Sequence, residues 1–225
     1  ITIDGLAVTV RPSELSSMDV RVPADISGAA FWLVAGSCHP QARIEVKGVG
    51  INPSRTGVLD VLRSMGARVR VSNVQEKAGE PSADLVVESG GLHGTTIRGD
   101  LIPRVIDELP ILALAACFAE GTTVIGDAGE LRVKESDRIQ ATVAGLSALG
   151  ARVDELPDGM IIHGGTPLKG AECDSYGDHR IAMTMGVAGL LSGGTTTIAG
   201  AEATRASYPG FWDALADLAR PPERT

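Results

Sequence analysis

The sequence is poor in aromatic residues and carries more acidic than basic groups. Aromatics make up 3% of its 225 residues, which argues against the base-stacking surfaces of proteins that bind single-stranded nucleic acids. The formal net charge of −8 disfavours nonspecific binding to nucleic acids or acidic membranes, so we expect neither partner. A small anionic substrate is still compatible with this charge, because a local basic cluster can override the overall sign.

Cysteines are few, and long apolar runs are absent. Cys38, Cys117 and Cys173 are far apart and lack the spacing of a metal site, which predicts no metal and a reducing, cytoplasmic compartment. The longest apolar run, residues 109–119, contains Pro110 and is shorter than a membrane span of roughly 18 residues. No basic start precedes an apolar segment, so we expect no signal peptide.

An internal repeat divides most of the chain into three units. Each unit opens with an aspartate at the start of an apolar helix, namely Asp25, Asp107 and Asp178. A short β-branched strand and then a second helix follow. The predicted strands are 43–46, 122–125 and 195–198, and the predicted second helices are 53–65, 134–149 and 208–218. Two helices per unit and short strands predict an α/β fold with helices inside and small sheets outside.

The first two units close their second helix with nearly the same phrase. Gly66 and Gly150 are each followed by Ala-Arg-Val, which predicts a left-handed glycine that ends the helix and a strand that begins after it. Partner strands are predicted at 85–87 and 160–162. The third unit stops before these strands, and residues 1–10 are the candidate source of replacements.

These boundaries define the predicted domain organisation. The repeat units span about 25–90, 105–165 and 176–218; residues 1–22 are strands or a linker, 23–218 form one lobe, and 219–225 form a tail. If the units pack around one axis, their equivalent helix N-termini converge at one end. Converging N-termini create an anion-binding site, because each carries partial positive charge and unpaired N–H groups.

The most charged stretch is residues 134–138, with the sequence KESDR. If the predicted helix begins at Lys134, this residue shares a face with Arg138, and Glu135–Arg138 and Lys134–Asp137 can form pairs three residues apart. One interpretation is a solvated, salt-bridged first turn. The other is an anion-binding turn that contains a carboxylic acid.

The basic residues at the predicted helix starts favour the second interpretation. Lys134, Arg138, Arg180 and Arg205 lie near N-termini, where the helix dipole disfavours a cation unless an anion binds between them. For the aspartates, a helix-capping role is an alternative that needs no ligand.

Five collinear motifs resemble the C-terminal half of the EPSP synthase (enolpyruvylshikimate-phosphate synthase) family. They are residues 23–33, IDELP at 106–110, KESDR at 134–138, YGDHRIAM at 176–183 and ASYPGF at 206–211. The resemblance implies an inside-out α/β barrel lobe of pseudo-threefold repeats. It also implies transfer of the enolpyruvyl group of phosphoenolpyruvate to the 5-hydroxyl of shikimate 3-phosphate with release of phosphate, and no metal or organic cofactor.

The same resemblance implies roles for individual residues. Asp107 contacts the shikimate hydroxyls and is the candidate base, Lys134 hydrogen-bonds near the attacking hydroxyl, and Glu135 delivers and retrieves the proton at the methylene carbon. Arg138 and Arg180 hold the phosphoenolpyruvate anion. Supporting and substrate-binding roles fall to Asp178, His179 and Arg205; the last stands near the position where the family usually has a lysine.

The N-terminal lobe of the family has no counterpart in this sequence, so we expect the chain by itself to be inactive and the missing lobe to be its partner. Two other functions stay open at this point. The first is the related UDP-N-acetylglucosamine enolpyruvyl transferase, which the KESDR and DHR motifs disfavour. The second is a non-catalytic repeat scaffold that binds a partner through its helix ends.

Overall fold

Helices and strands alternate along the chain in a computed structural model that describes residues 1–220 apart from Leu6, Met18 and Ala78. The helices are α1 (Ile26–Cys38), α2 (Gly57–Ser64), α3 (Leu109–Cys117), α4 (Arg138–Ala148), α5 (His179–Leu191) and α6 (Phe211–Ala219). The strands are β1 (Thr2–Asp4), β2 (Ala7–Thr9), β3 (Arg43–Gly50), β4 (Arg68–Lys77), β5 (Glu80–Glu88), β6 (Thr96–Ile97), β7 (Thr122–Ile125), β8 (Arg152–Leu156), β9 (Gly159–His163), β10 (Glu172–Asp174) and β11 (Thr197–Ala199). The predicted tail lies outside the described residues from 221 onward.

The first helix of each repeat lies at the centre of the fold. Helices α1, α3 and α5 each contact the other two. Every residue of α3 is buried, and α1 is buried along nearly its whole length. A helix that is apolar all round needs neighbours on every side, which the other two helices and the surrounding sheets provide. The predicted arrangement of helices inside and sheets outside is confirmed.

Three small sheets surround these helices. The first is antiparallel with the order β3-β5-β4, and the second has the order β6-β7-β9-β8 with β6 parallel to β7. The third repeat contributes only the parallel pair β10-β11. The expectation that residues 1–10 complete this sheet is wrong: β1 pairs with β2, and both strands are exposed. Their short separation explains this, because closing a short loop costs less entropy than a long-range pairing.

The repeated glycines end their helices as predicted. Gly66 and Gly150 have φ angles of 89° and 91°, in the left-handed region. In both cases the next N–H reaches back to a helix carbonyl, from Ala67 to Leu62 and from Ala151 to Leu146. This pattern is the Schellman motif, which turns the chain out of the helix and into β4 or β8.

The second helices begin later than predicted. They start at Gly57, Arg138 and Phe211 instead of 53, 134 and 208. For α6, Pro209 disfavours helical geometry at the residue before it, so the helix begins only after the Pro209-Gly210 turn. Within the described part of the chain, no helix combines the length and the apolar character that crossing a membrane requires.

Asp25 caps α1, and its replacement should destabilise the chain. Its two carboxylate oxygens accept the backbone N–H groups of Ser27 and Gly28 at 3.1 and 2.8 Å. We expect Asp25→Ala to lower the free energy of unfolding by about 1 kcal/mol, whereas Asp25→Ser should retain most of the stability. Urea unfolding followed by tryptophan fluorescence measures both. Equal losses in the two variants would contradict a capping role.

Candidate functional site

Residues 134–136 lie in neither a helix nor a strand, which corrects the predicted start of α4. The Asp137 side chain accepts the backbone N–H of Gln140 at 3.0 Å and starts the helix at Arg138. Lys134 has extended backbone angles and ends the preceding 3-10 turn, Gly129–Val133. Lys134 and Arg138 therefore do not share a helix face.

One of the two predicted local ion pairs is present. Glu135 Oε2 accepts a hydrogen bond from Arg138 Nη2 at 2.6 Å, as predicted. The predicted Lys134–Asp137 pair is wrong: Lys134 Nζ lies 2.6 Å from Glu130 Oε1, and Asp137 bonds to an arginine earlier in the chain. The cause is again the late helix start, because only a helical turn would bring positions 134 and 137 together.

Arg138 joins three carboxylates at the centre of the site. Its side chain is 1% exposed. Its Nε donates to Asp178 Oδ2 at 2.7 Å, its Nη1 to Asp107 Oδ1 at 3.1 Å, and its Nη2 to Glu135. Buried charges need partners of opposite sign, and these three contacts provide them. Arg138 thus ties the second and third repeats together, while Glu135, at 52% exposure, faces outward.

Asp178 is the fully buried partner of Arg138 and also caps α5. Its Oδ1 accepts the backbone N–H of Arg180 at 2.8 Å, and its Oδ2 accepts the Ser136 hydroxyl at 3.1 Å. Burial alone would raise the pKa of Asp178, but the bonds and charge of Arg138, with these two further donors, outweigh it and hold the pKa below its usual value. Asp178 is therefore an ionised structural anchor at neutral pH.

Asp107 lies among three arginines. It sits on the 3-10 turn Ile106–Glu108 that leads into α3. Besides Arg138, its carboxylate has Arg180 Nη2 at 3.7 Å and Arg55 Nη2 at 3.8 Å. Arg180 Nη1 also donates to the backbone carbonyl of Asp107 at 3.1 Å. Asp107 and Arg180, which come from different repeats, are thus brought together as predicted from the converging helix starts.

Glu108 is a functional-site neighbour that the sequence reasoning missed. It is almost completely buried, accepts the Ser27 hydroxyl, and has Arg180 and Arg55 at 3.7 and 3.8 Å. Burial raises the pKa of Glu108, although its hydrogen bond and the two arginines oppose the shift. Ser27, Glu108 and Arg180 stand at the starts of α1, α3 and α5, so the chain's own carboxylate occupies the point where three helix N-termini meet. A second acidic residue directly after Asp107, immediately before the apolar run 109–119, was the available signal.

A cavity of about 260 Å³ adjoins the charged cluster. His179, Arg180, Ser27 and Tyr208 are among the residues that line it. Burial, and then the charge of Arg180, lower the pKa of His179, so its ring is neutral at pH 7. Asp107, Lys134 and Glu135 do not line this cavity. We centre the candidate site on the charged cluster because Asp107 and Glu135, the predicted base and acid, are there.

Two predicted substrate-binding residues lie outside the cluster. Arg205 is exposed on the 3-10 turn Ala201–Ala206, and it makes no salt bridge with any of the described residues. The nearby turn contributes Ser207 and Tyr208 to the cavity instead. Lys134 belongs to the right segment, but its ammonium group is held by Glu130. The pattern of basic residues near helix starts could not distinguish these orientations.

The family model described as EPSP synthase (3-phosphoshikimate 1-carboxyvinyltransferase) matches residues 1–215. The chain belongs to the EPSP synthase family. A relative named 3-phosphoshikimate 1-carboxyvinyltransferase from Roseiflexus castenholzii is 54% identical over 219 residues, which are 96% of this chain and 51% of the relative. A Synechococcus relative of the same name is 55% identical over 98% of this chain and 50% of its own length.

Solved structures agree with this family assignment. EPSP synthase from Acinetobacter baumannii superposes with a TM-score of 0.84 at 44% identity, covering 88% of this chain and 46% of that one. The enolpyruvyl transferase NikO from Streptomyces tendae shares the fold, with a TM-score of 0.71 at 21% identity over 89% of this chain and 44% of its own. The chain thus spans about half the length of the EPSP synthases that it matches.

Proposed function

We propose that this chain forms one half of an enzyme that transfers the enolpyruvyl group of phosphoenolpyruvate to the 5-hydroxyl of shikimate 3-phosphate. The observation that carries the proposal is the cluster of Asp107, Glu135, Arg138 and Arg180 in a member of the EPSP synthase family. The cluster combines two carboxylates, the exposed Glu135 and the partly buried Asp107, with two guanidinium groups that the protein holds in place. A transfer between two anionic substrates by proton addition and removal needs both.

The reaction requires an acid placed at carbon. Protonation of the methylene carbon makes the adjacent carbon electrophilic, the 5-hydroxyl oxygen bonds to it, and loss of phosphate and of the added proton restores the double bond. Glu135 carries this proton, since it is the exposed carboxylate on the segment 134–136, between a 3-10 turn and α4. Asp107 accepts the hydroxyl proton, which leaves with the phosphate.

The arginines have different tasks in this proposal. Arg138 is buried and its bonds go to the chain's own carboxylates, so it orients Asp107 and Glu135 and contacts substrate only if Glu135 swings away. Arg180 is partly exposed and offers a bidentate fork for a carboxylate or phosphate. Neutral His179 lies beside it as a hydrogen-bonding group. Lys134 reaches a substrate by leaving Glu130, and Arg205 binds phosphate from its exposed position outside the cluster.

The balance of positive and negative charges in the cluster supports the proposal that a second half of the enzyme contributes to the site. Arg55, Arg138 and Arg180 face four carboxylates, those of Asp107, Glu108, Glu135 and Asp178. Even with Glu108 protonated, the cluster has no excess of positive charge. Two anionic substrates therefore need cations from the half that the relatives carry in addition. A cytoplasmic location, inferred from the cysteine content, is part of the same proposal.

Complementation tests the proposed function. We expect no phosphate release from phosphoenolpyruvate and shikimate 3-phosphate with this chain alone, and turnover when it is joined to the half of a relative that it does not match. Phosphate release and NMR detection of the enolpyruvyl ether measure the reaction. Replacing shikimate 3-phosphate by UDP-N-acetylglucosamine should give no turnover. An inactive joined enzyme would contradict the activity, and robust turnover by the chain alone would contradict the half-site argument.

A further inference from the structure

The segment that carries Lys134 and Glu135 has no secondary structure to hold it. Residues 134–136 lie between a 3-10 turn and α4, and their backbone groups make no backbone hydrogen bond to any described residue. A general acid must nevertheless stay within a few tenths of an ångström of its working position. Side chains at the two ends of the segment must therefore fix its conformation.

At the C-terminal end, the buried network around Asp178 supplies this anchor. Ser136 Oγ and Arg138 Nε both donate to Asp178 Oδ2, at 3.1 and 2.7 Å. Asp178 in turn is held by the start of α5. These contacts fix residues 136–138 against the third repeat, but they do not reach the other end of the segment.

At the N-terminal end, Arg132 makes four hydrogen bonds to the protein. Its Nε donates to the Pro157 carbonyl at 2.7 Å, and its Nη2 donates to the Leu156 carbonyl at 2.6 Å and to Glu155 Oε1 at 2.9 Å. All three acceptors belong to the β8–β9 hairpin. The fourth bond runs from Nη1 to Asp137 Oδ2 at 2.8 Å.

The bond between Arg132 and Asp137 closes residues 133–136 into a loop. The other oxygen of Asp137 accepts the backbone N–H of Gln140 and caps α4. The Asp137 carboxylate therefore binds both Arg132, which closes the loop, and the first turn of α4. Arg132 joins the same point to the β8–β9 hairpin, which is part of a four-stranded sheet. The segment is thus fastened to a rigid element at each end.

We propose that Arg132 is a positioning residue that sets the place of Glu135. It acts by closing the loop 133–136 and fastening it to the β8–β9 hairpin; its own donors go to the protein, not to the site. The inference rests on the proposed function, in which Glu135 moves the proton. Lysine cannot replace it, because a single ammonium group cannot reach acceptors that a planar guanidinium bridges.

Arg132→Lys in the full-length enzyme, meaning this chain joined to the additional half of a relative, tests the proposal. A misplacement of about 1 Å can lower a rate by about a hundredfold, so we expect kcat to fall by about that factor. The KM for phosphoenolpyruvate should change less than about threefold, because Arg180 is held separately by α5 and Asp107. Asp137→Asn keeps the helix cap and should lower kcat less; combined with Arg132→Lys it should add little, because both changes break the same bond.

The control is Arg70→Lys, since Arg70 makes a comparable ion pair with Glu88 at 2.8 Å on the outer sheet. We expect its kcat to match the unsubstituted enzyme. A lower unfolding temperature with unchanged kcat in Arg132→Lys would overturn the proposal, and so would a rise in KM as large as the fall in kcat.

A structural measurement separates this inference from the proposed function. If the unsubstituted enzyme has no transferase activity, the proposed function is wrong. The positioning role of Arg132 is then tested by comparing crystal structures of the unsubstituted enzyme and of Arg132→Lys. We expect residues 133–136 to move by about 1 Å or more in Arg132→Lys, while α4 keeps its place. An unmoved loop would contradict the positioning role whatever the activity.

Discussion

Glu135→Gln in the full-length enzyme should lower kcat by about 10²–10⁴-fold, the usual contribution of a positioned general acid or base. Glutamine has nearly the same shape and can still accept the hydrogen bond that Arg138 Nη2 donates at 2.6 Å. The variant therefore removes the carboxyl group that transfers the proton in the proposed function, and it leaves the hydrogen bonds around Arg138 in place. Steady-state phosphate release measures kcat, and the KM for phosphoenolpyruvate should change much less than kcat.

The matched control is Glu202→Gln, an exposed glutamate on the 3-10 turn Ala201–Ala206. It makes the same chemical change away from the cluster, so its kcat should equal that of the unsubstituted enzyme. Circular dichroism and the unfolding temperature verify that both variants fold. Normal turnover in Glu135→Gln would remove Glu135 from the proton transfer and leave Asp107 as the carboxylate to test next.

The parts of the fold that sequence predicts well are those decided by nearby residues. Asp25 and Asp178 cap helices because an aspartate side chain can reach the N–H groups two or three positions later. Gly66 and Gly150 end helices because glycine alone adopts positive φ without cost. The repeat then multiplies each local signal, since the same pattern returns in successive units.

The errors arise where local alternatives compete or where distant residues decide. Asp137 could pair with Lys134 or cap α4, and its bonds to Gln140 and Arg132 selected the cap. Lys134 consequently turned to Glu130. Counting strands predicts that residues 1–10 complete the sheet of the third repeat, whereas β1 and β2, which are close together in the chain, pair with each other.

In the candidate site, too, local motifs predict some residues correctly and miss those that depend on distant contacts. The motifs that resemble the family identified Asp107, Glu135, Arg138 and Arg180, and the structure brings these four together. They did not identify Glu108, whose importance depends on Arg55 and Ser27 from another repeat. Converging helix starts predict that Asp107 and Arg180 come together, but the packing of the inner helices decides which other side chains meet there, and the repeat pattern does not reveal these pairs.

Replacing Arg138 should destabilise the fold strongly, because its buried side chain is paired with a buried carboxylate. Removing one partner of a buried ion pair leaves the other charge unpaired and destabilises by about 3–5 kcal/mol. Arg138→Met keeps an apolar side chain of similar length but removes the charge, so it leaves the carboxylate of Asp178, at 0% exposure, without its ion-pair partner. Urea unfolding of this chain, followed by the fluorescence of its two tryptophans, measures the loss. The control is Arg70→Lys, which should cost less than about 1 kcal/mol, because Arg70 lies in an exposed pair.

The pH dependence identifies the unpaired carboxylate as the cause. In the unsubstituted chain the lowered pKa of Asp178 contributes stability above about pH 3.9, the value for an unfolded aspartate, and that contribution is lost as the pH falls through the folded pKa. In Arg138→Met, the arginine that lowers the pKa of Asp178 is gone, so burial raises this pKa. Keeping Asp178 ionised therefore destabilises the variant as the pH rises. The stability gap between the two chains should therefore widen from pH 4 to pH 7. Adding Asp178→Asn to Arg138→Met removes the unpaired carboxylate and keeps a helix cap. The double variant should regain much of the lost free energy of unfolding, and its difference from the unsubstituted chain should not grow between pH 4 and pH 7. A gap that is the same at both pH values would assign the loss to packing around the Arg138 stem instead.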